Sequence, residues 1–587
     1  MKMKKLPIGI SDFKDVVSGD YYYIDKTLFI KEVLDKGSKI LLIPRPRRFG
    51  KTLNLSMMRY FYSCCPEKVS LDAGGHYPVN KNDLAKNSYA QLFTHLNIAQ
   101  TGEEYTNKMG KHPVIFFSFR GIKETTFKNC LAQMKQLIID EYLKHDYLLN
   151  SPLIKPTEKK FFQNIIDGKG SIIDYGNSLE KLLHFLSRYY EERVVILIDE
   201  YDAPIHAGFT YKYYDAIVNF MRNFLGGGLK DTDEYLEKSV ITGILRIAKE
   251  SIFSGLNNPG VYTLTSNQFN DKFGFTETEI EMLLTDFNLL HRYEEIKKWY
   301  NGYMFGDQTI YNPWSIINFI EDIDHEILPY WINTSNNELI NMLLSHGGKE
   351  LKEELEQLIQ GESIEKVIDE NIVMKEITER DDLLWSFLLF CGYLKFTAKR
   401  MDESSGTMYY TLSIPNLEVR ITYLNIVKHY FSAKIKNSRL ESMLKALIEG
   451  DVLLFEEILQ DVVATVFSYH DFNREPERVY HALVAGLLVW ISETHEIKSN
   501  RESGYGRYDI MIFPKNRALL GYVIEFKAVH KRRKETVATA TTAALKQIED
   551  NKYELELLER GIHHIKKLAV VFNGKKVSVT ESGEKIK

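Results

Sequence analysis

Gly50-Lys51-Thr52 closes the run KILLIPRPRRFGKT (Lys39–Thr52), a set of residues that can hold phosphate. A hydrophobic strand enters a loop, and the triplet opens a helix expected over Leu53–Tyr62. Backbone N–H groups at a helix start concentrate positive potential on an anion. In that setting Lys51 reaches the β- and γ-phosphates of ATP, and the Thr52 hydroxyl ligates Mg²⁺. Arg45 stands where GxxxxGK[ST] carries its first glycine. Pro44 and Pro46 stiffen the loop, and Arg47 and Arg48 add positive charge near the phosphates.

A second set lies in RVVILIDEYDAP (Arg193–Pro204), an apolar strand ending in two acids. Asp199 would hold Mg²⁺ through water, and Glu200 would polarise the attacking water as a general base. A buried strand with acids at its wet end is the plain alternative. The next strand, in SVITGILRIAK, leaves Thr242 and Arg246 near its end. Either could sense the γ-phosphate. Arg246 could instead act across an interface of a homo-oligomer, or form a structural salt bridge.

A third set lies near the C-terminus, in GRYDIMIF and VIEFKAV, two strand-like runs separated by the turn PKNRA. Glu525 and Lys527 are two apart and share a strand face, while Ile524 and Phe526 point into a core. Asp509 opens the preceding strand, where its carboxylate could meet Glu525. Two carboxylates and a lysine so placed suit phosphodiester hydrolysis: the acids bind Mg²⁺, and the lysine orients the nucleophile or steadies the transition state. A solvent-facing amphipathic strand is the alternative. The pattern resembles the PD-(D/E)xK nuclease core. That resemblance makes Glu477 a further metal ligand on the preceding helix. It also makes Gln547 and Tyr553 similar to a substrate-side QxxxY element, here more widely spaced. The cluster Lys531, Arg532, Arg533 could grip a DNA backbone.

These sets need strands and helices to carry them. The first half alternates apolar runs (Lys39–Ile43, Val114–Phe119, Val194–Ile198, Ser239–Gly243) with helical stretches, the pattern of a largely parallel α/β sheet. The middle region offers a helix at Leu383–Cys391, then GYLKFTAK, the turn DESSG and MYYTLSIPN. Helices followed by a hairpin predict a winged-helix-like module, with an ordinary helical connector as the alternative. The expected fold is multidomain α/β: a P-loop ATPase domain over 1–290, a helical and winged-helix-like region over 291–437, and a nuclease-like α/β domain over 438–587.

At 587 residues the chain needs several cores, and 44% hydrophobic with 26% charged residues excludes a disordered or fibrous chain. The net charge of −5 is unevenly spread: Val466–Lys587 holds 21 Lys/Arg against 16 Asp/Glu. A basic C-terminal region on an acidic protein points to an anionic partner, with a solvated surface as the alternative. The four cysteines form no CxxC pair. With no apolar run near the ~18 residues of a membrane span, a cytoplasmic protein without membrane association is expected.

YYYIDKTLFI, RPRRFGKT, LIDEYDAPI, TGILRIAKESIFSGLNN, FGFTETEI and WYNGYMFG…YNPWSI occur in that order. Together they resemble the prokaryotic AAA-ATPase-like family whose members carry a C-terminal PD-(D/E)xK nuclease-like domain. The resemblance implies an additional-strand P-loop fold with an intact site despite Arg45. The expectation is an ATPase coupled to Mg²⁺-dependent cleavage of nucleic acid, DNA foremost, with defence against mobile DNA as the guess from domain pairing. The alternative is an ATPase switch whose last domain binds DNA or a protein without cutting.

Overall fold

The computed structural model describes residues 4–64, 89–247, 259–322, 324–331, 349–359, 361–372, 374–377, 380–432, 436–466, 488, 491, 494–499, 502–503, 506–529 and 535–583. The chain divides into two compact units, residues 1–335 with 365–418, and residues 336–364 with 419–587. The segment expected as a separate middle region, 291–437, is shared between them.

In the first unit, β1 (Ile40–Pro44), β2 (Val114–Ser118), β3 (Val194–Asp199), β4 (Leu236–Gly243) and β5 (Gly260–Val261) form one parallel sheet in the order β5-β1-β4-β3-β2. Every residue of β1 and β3 is buried, as strands covered on both faces require. β4 lies between β1 and β3, the extra strand that the sequence resemblance implied. The loop after β1 and the acids ending β3 therefore meet at the same, C-terminal edge of the sheet. Asp381–Cys391 is helical and leads into the antiparallel hairpin Lys395–Asp402/Thr407–Ser413, which a third strand, Ile364–Val367, joins beside the second arm. The expected DESSG turn is present: Asp402 accepts hydrogen bonds from the backbone and hydroxyl of Ser404.

In the second unit a five-stranded mixed sheet runs β6 (His495–Ser499), β7 (Ile510–Pro514), β8 (Gly521–Ala528), β9 (Ile565–Asn573) and β10 (Lys576–Glu581), in that spatial order. Only the β8–β9 pair is parallel. Period-two alternation splits its side chains between two cores. Ile524 and Phe526 join one with Ile510, Ile512 and residues of the helices Asn437–Glu449 and Val452–Val466. Val523, Met511 and Phe513 join the other with Ile548, Tyr553 and Leu557.

Candidate functional site: a phosphate loop and a carboxylate–lysine strand

In the first unit the loop after β1 turns sharply. Arg48 and Gly50 both take left-handed backbone, at φ 70° and 82°, with Phe49 between them. Such alternation gathers successive N–H groups into an anion-binding concavity. A Cβ at Gly50 would meet nothing within 4 Å, so its φ, rather than crowding, selects glycine. Gly50 caps the helix α1 (Lys51–Tyr62), whose face Leu55, Met58 and Phe61 is buried.

Lys51 is buried, and its ammonium donates to the carbonyls of Arg45 (3.0 Å) and Pro46 (2.8 Å). Burial pushes its pKa below the ordinary lysine value, against the pull of Glu200 and Asp199. Asp199 is fully buried and accepts from three hydroxyls: Thr52 at 2.7 Å, Thr242 at 2.9 Å and Ser118 at 3.3 Å. The Thr52–Asp199 pair is a set of hard oxygen donors that fits Mg²⁺. Glu200 takes left-handed backbone (φ 49°), which breaks the chain out of β3 and sets its side chain on the cavity wall. That cavity, about 310 Å³, is lined by Arg47, Arg48, Gly50, Lys51, Thr52 and Glu200. A pocket of fixed cations around backbone donors fits a polyphosphate.

Arg45 does something else. It is fully buried, and its guanidinium donates to the carbonyls of Pro44, Tyr262 and Phe269 at 2.7–3.0 Å. The rings of Phe273 and Phe305 lie 5.2 and 5.3 Å from it. Burial pushes its pKa down to about 9. The missing glycine is thus replaced by an internal strut that faces away from the phosphate side. Around it, Phe49 packs on Tyr303 and Phe305, and Asn312 donates to the Arg47 carbonyl at 3.4 Å. Asn312 also caps α2 (Pro313–Glu321), and Trp314 in its first turn stacks under Arg48 at 4.0 Å. The motifs FGF, NGYMFG and YNPW are therefore the clamp of the loop.

In the second unit, β7 and β8 pair with Ile510 opposite Ile524, which brings Asp509 across from Glu525 one step further on. Asp509 accepts the backbone N–H of Phe526 at 2.8 Å. Glu525 is 1% exposed and receives the Lys527 ammonium at 2.8 Å. The three side chains rise from one face of the hairpin, as alternation required. Their donor set of two carboxylates fits a divalent cation. Among the described residues no group of three or more His, Cys, Asp or Glu is placed to hold a metal.

Residues 7–72 and 80–253 match the family described as a predicted AAA-ATPase, and residues 475–582 match the PD-(D/E)XK nuclease superfamily. The chain pairs an AAA-ATPase-like region with a PD-(D/E)XK nuclease superfamily domain. An uncharacterized protein in the vnfD 5′ region of Azotobacter chroococcum mcd 1 is 26% identical over 573 residues, 96% of this chain and 95% of the relative. Among the described residues no helix is long and apolar enough to cross a membrane.

Within the AAA-ATPase-like region, the expected residues Arg47, Arg48, Gly50, Lys51, Thr52 and Glu200 line one cavity, with Asp199 beneath Thr52. Thr242 is spent on Asp199, and Arg246 is not among the residues lining the cavity; its charge acts on Tyr201. Within the nuclease-like domain Gln547, on α4 (Val537–Asp550; α3 is the helix Leu417–Ser432, earlier in the chain), donates to the Tyr553 hydroxyl at 3.2 Å. Tyr553 itself is 1% exposed, in the core beside Tyr508, so its ring is not offered to a substrate as the sequence reading expected. Glu477, Lys531, Arg532 and Arg533 lie outside the described residues. Sequence reasoning missed Arg120 and Lys123, which line the cavity from the turn after β2. Their signal was a basic turn at the C-terminal end of a buried parallel strand, the edge where such sheets bind ligands.

Proposed function

We propose that this protein binds and hydrolyses ATP and couples that cycle to Mg²⁺-dependent phosphodiester cleavage of nucleic acid, DNA being the expected form. Defence against mobile DNA is the role such a pairing of domains serves best. The observation that supports cleavage is Asp509 set across from Glu525 with Lys527 on the same face. Asp509 and Glu525 would hold the metal, which supplies an activated water. Lys527 would steady the charge that grows on the phosphate. In the first unit Lys51 and the loop N–H groups hold the terminal phosphates, Thr52 and Asp199 hold the cation, and Glu200 accepts the proton of the attacking water. The test incubates the full chain with plasmid, linear and single-stranded DNA, with Mg²⁺ or EDTA, and with or without ATP. Cleavage that needs Mg²⁺ and changes with ATP is the expected result. No cleavage under any nucleotide condition removes the nuclease reading.

One observation favours a second reading, a switch that binds without cutting. Both carboxylates are already engaged by protein donors, Phe526 N–H and the Lys527 ammonium. DNA binding that needs ATP but leaves the DNA intact would establish it.

A further inference from the structure

Four of the cations around the nucleotide cavity are held together without acids to match them. Arg47, Arg48, Arg120 and Lys123 make no ion pair among the described residues, and the one acid lining the cavity is Glu200. Lys26 and Lys272 border it too, but they are paired with Glu279 and Asp271. Burial and mutual repulsion push the pKa of Arg48 down, with Arg120 and Arg47 among the repelling charges and Glu200 opposing. Like charges so gathered repel one another, and a polyanion placed among them relieves that repulsion.

The topology explains how the group is assembled. Arg47, Arg48 and Lys51 come from the loop after β1, whereas Arg120 and Lys123 come from the turn after β2, the far edge of the same sheet. That turn is fixed in place. Ser118 is in register with Asp199, Phe119 N–H donates to the Asp199 carbonyl at 3.0 Å, and Ile122 is buried beneath the turn. Arg120 thus leaves the backbone two residues past Ser118, the partner of Asp199, and it lines the cavity together with Glu200. The loop after β1 already supplies Lys51 and its N–H groups to a phosphate chain. The second turn adds charge on the side of Glu200, where the terminal phosphate meets water.

Resting on the reading of this cavity as a nucleotide site, we infer that Arg120 and Lys123 are phosphate-sensing residues: they bind the terminal phosphate of a nucleoside triphosphate and make the site prefer tri- over diphosphate. Both side chains are exposed, so substituting them leaves the core intact.

The experiment measures ATP and ADP affinity of the full chain by calorimetry, in Mg²⁺, for wild type, Arg120→Ala, Lys123→Ala and the double variant. ATP affinity is expected to fall about tenfold in Arg120→Ala, and further in the double variant, while ADP affinity stays within about twofold. Arg120→Lys should recover part of the loss, because charge returns without the planar fork. An unchanged ATP-to-ADP affinity ratio in the double variant overturns the inference and leaves the nucleotide site standing. A wild type that binds neither nucleotide overturns both.

Discussion

Asp199 and Glu525 are both buried carboxylates on strands of a central sheet, yet the two are stabilised by different means. Three neutral hydroxyls hold Asp199, and the cations nearby remain on the cavity wall. Glu525 has a lysine of its own, two residues along the same strand, at 2.8 Å. The first arrangement leaves the site's positive charge available to an anion, and hydroxyls can turn from a carboxylate to a cation at little cost. The second neutralises itself. On the proposed reading, a cation entering there would share Glu525 with Lys527, and metal and lysine would compete until a phosphate took the ammonium. On that reading the nucleotide site would be built in advance of its ligand, and the carboxylate–lysine site would be completed by its own.

The largest effects separate the two sites. Asp509→Ala should lower metal-dependent cleavage by about 100- to 1,000-fold and leave ATP turnover near wild type, because it deletes an acid proposed to hold the metal. Lys51→Ala should lower ATP turnover by a similar factor. Gel-based cleavage and phosphate-release assays on both variants check this. Cleavage by Asp509→Ala at the wild-type rate would break the comparison at its second term.

Arg45→Gly restores the usual glycine of the phosphate loop, and it should nonetheless harm the protein. Three carbonyls lose their donor and two aromatic rings lose their partner, at a cost of about 3 kcal/mol or more. A lowered urea midpoint, with no gain in ATP affinity, is the expected outcome. Unchanged stability would mean that these contacts do not hold the loop.

A further effect concerns a third buried carboxylate and is read through its pH dependence. Glu418, at the start of α3, accepts from Ser315 (2.8 Å) and from the Trp331 N–H (2.7 Å), and burial pushes its pKa up to about 7 against both bonds. The folded chain therefore holds this proton more tightly than the unfolded one. Its contribution to stability is complete below the unfolded pKa, near 4.3, and is lost as pH rises through about 7. The loss is at most about 3–4 kcal/mol. Glu418→Gln keeps the shape without the charge, so its melting temperature should fall less than that of wild type between about pH 5 and about pH 8. Parallel pH curves for the two proteins would mean that Glu418 is charged throughout.

Much of both sites was legible because the relevant signals are local. Strand, loop and helix follow one another around Gly50-Lys51-Thr52, and each is specified by neighbours within a few residues. Likewise the alternation in VIEFK placed Glu525 and Lys527 on one face, and the short PKNRA turn set the register that carries Asp509 opposite. The order of the parallel strands agrees with the resemblance that the motifs carried.

Other features depended on residues far apart in the chain. Arg45 reads only as a departure from the first glycine of the motif, but carbonyls and rings from residues 262–305 draw it into the core. Tyr553 reads, through the resemblance, as part of a substrate-side QxxxY-type element, but Tyr508 and the β7–β8 face enclose it. Arg120 and Lys123 had no motif at all, and only the position of β2 beside β3 brings them to Glu200. The sequence by itself determined which backbone segments form and which faces of them are apolar, since those depend on periods of two and 3.6 residues. Tertiary structure decided which cations face the cavity and which are buried as struts, because the free energy of a charged side chain is set by the dielectric and the partners around it, and those come from other strands.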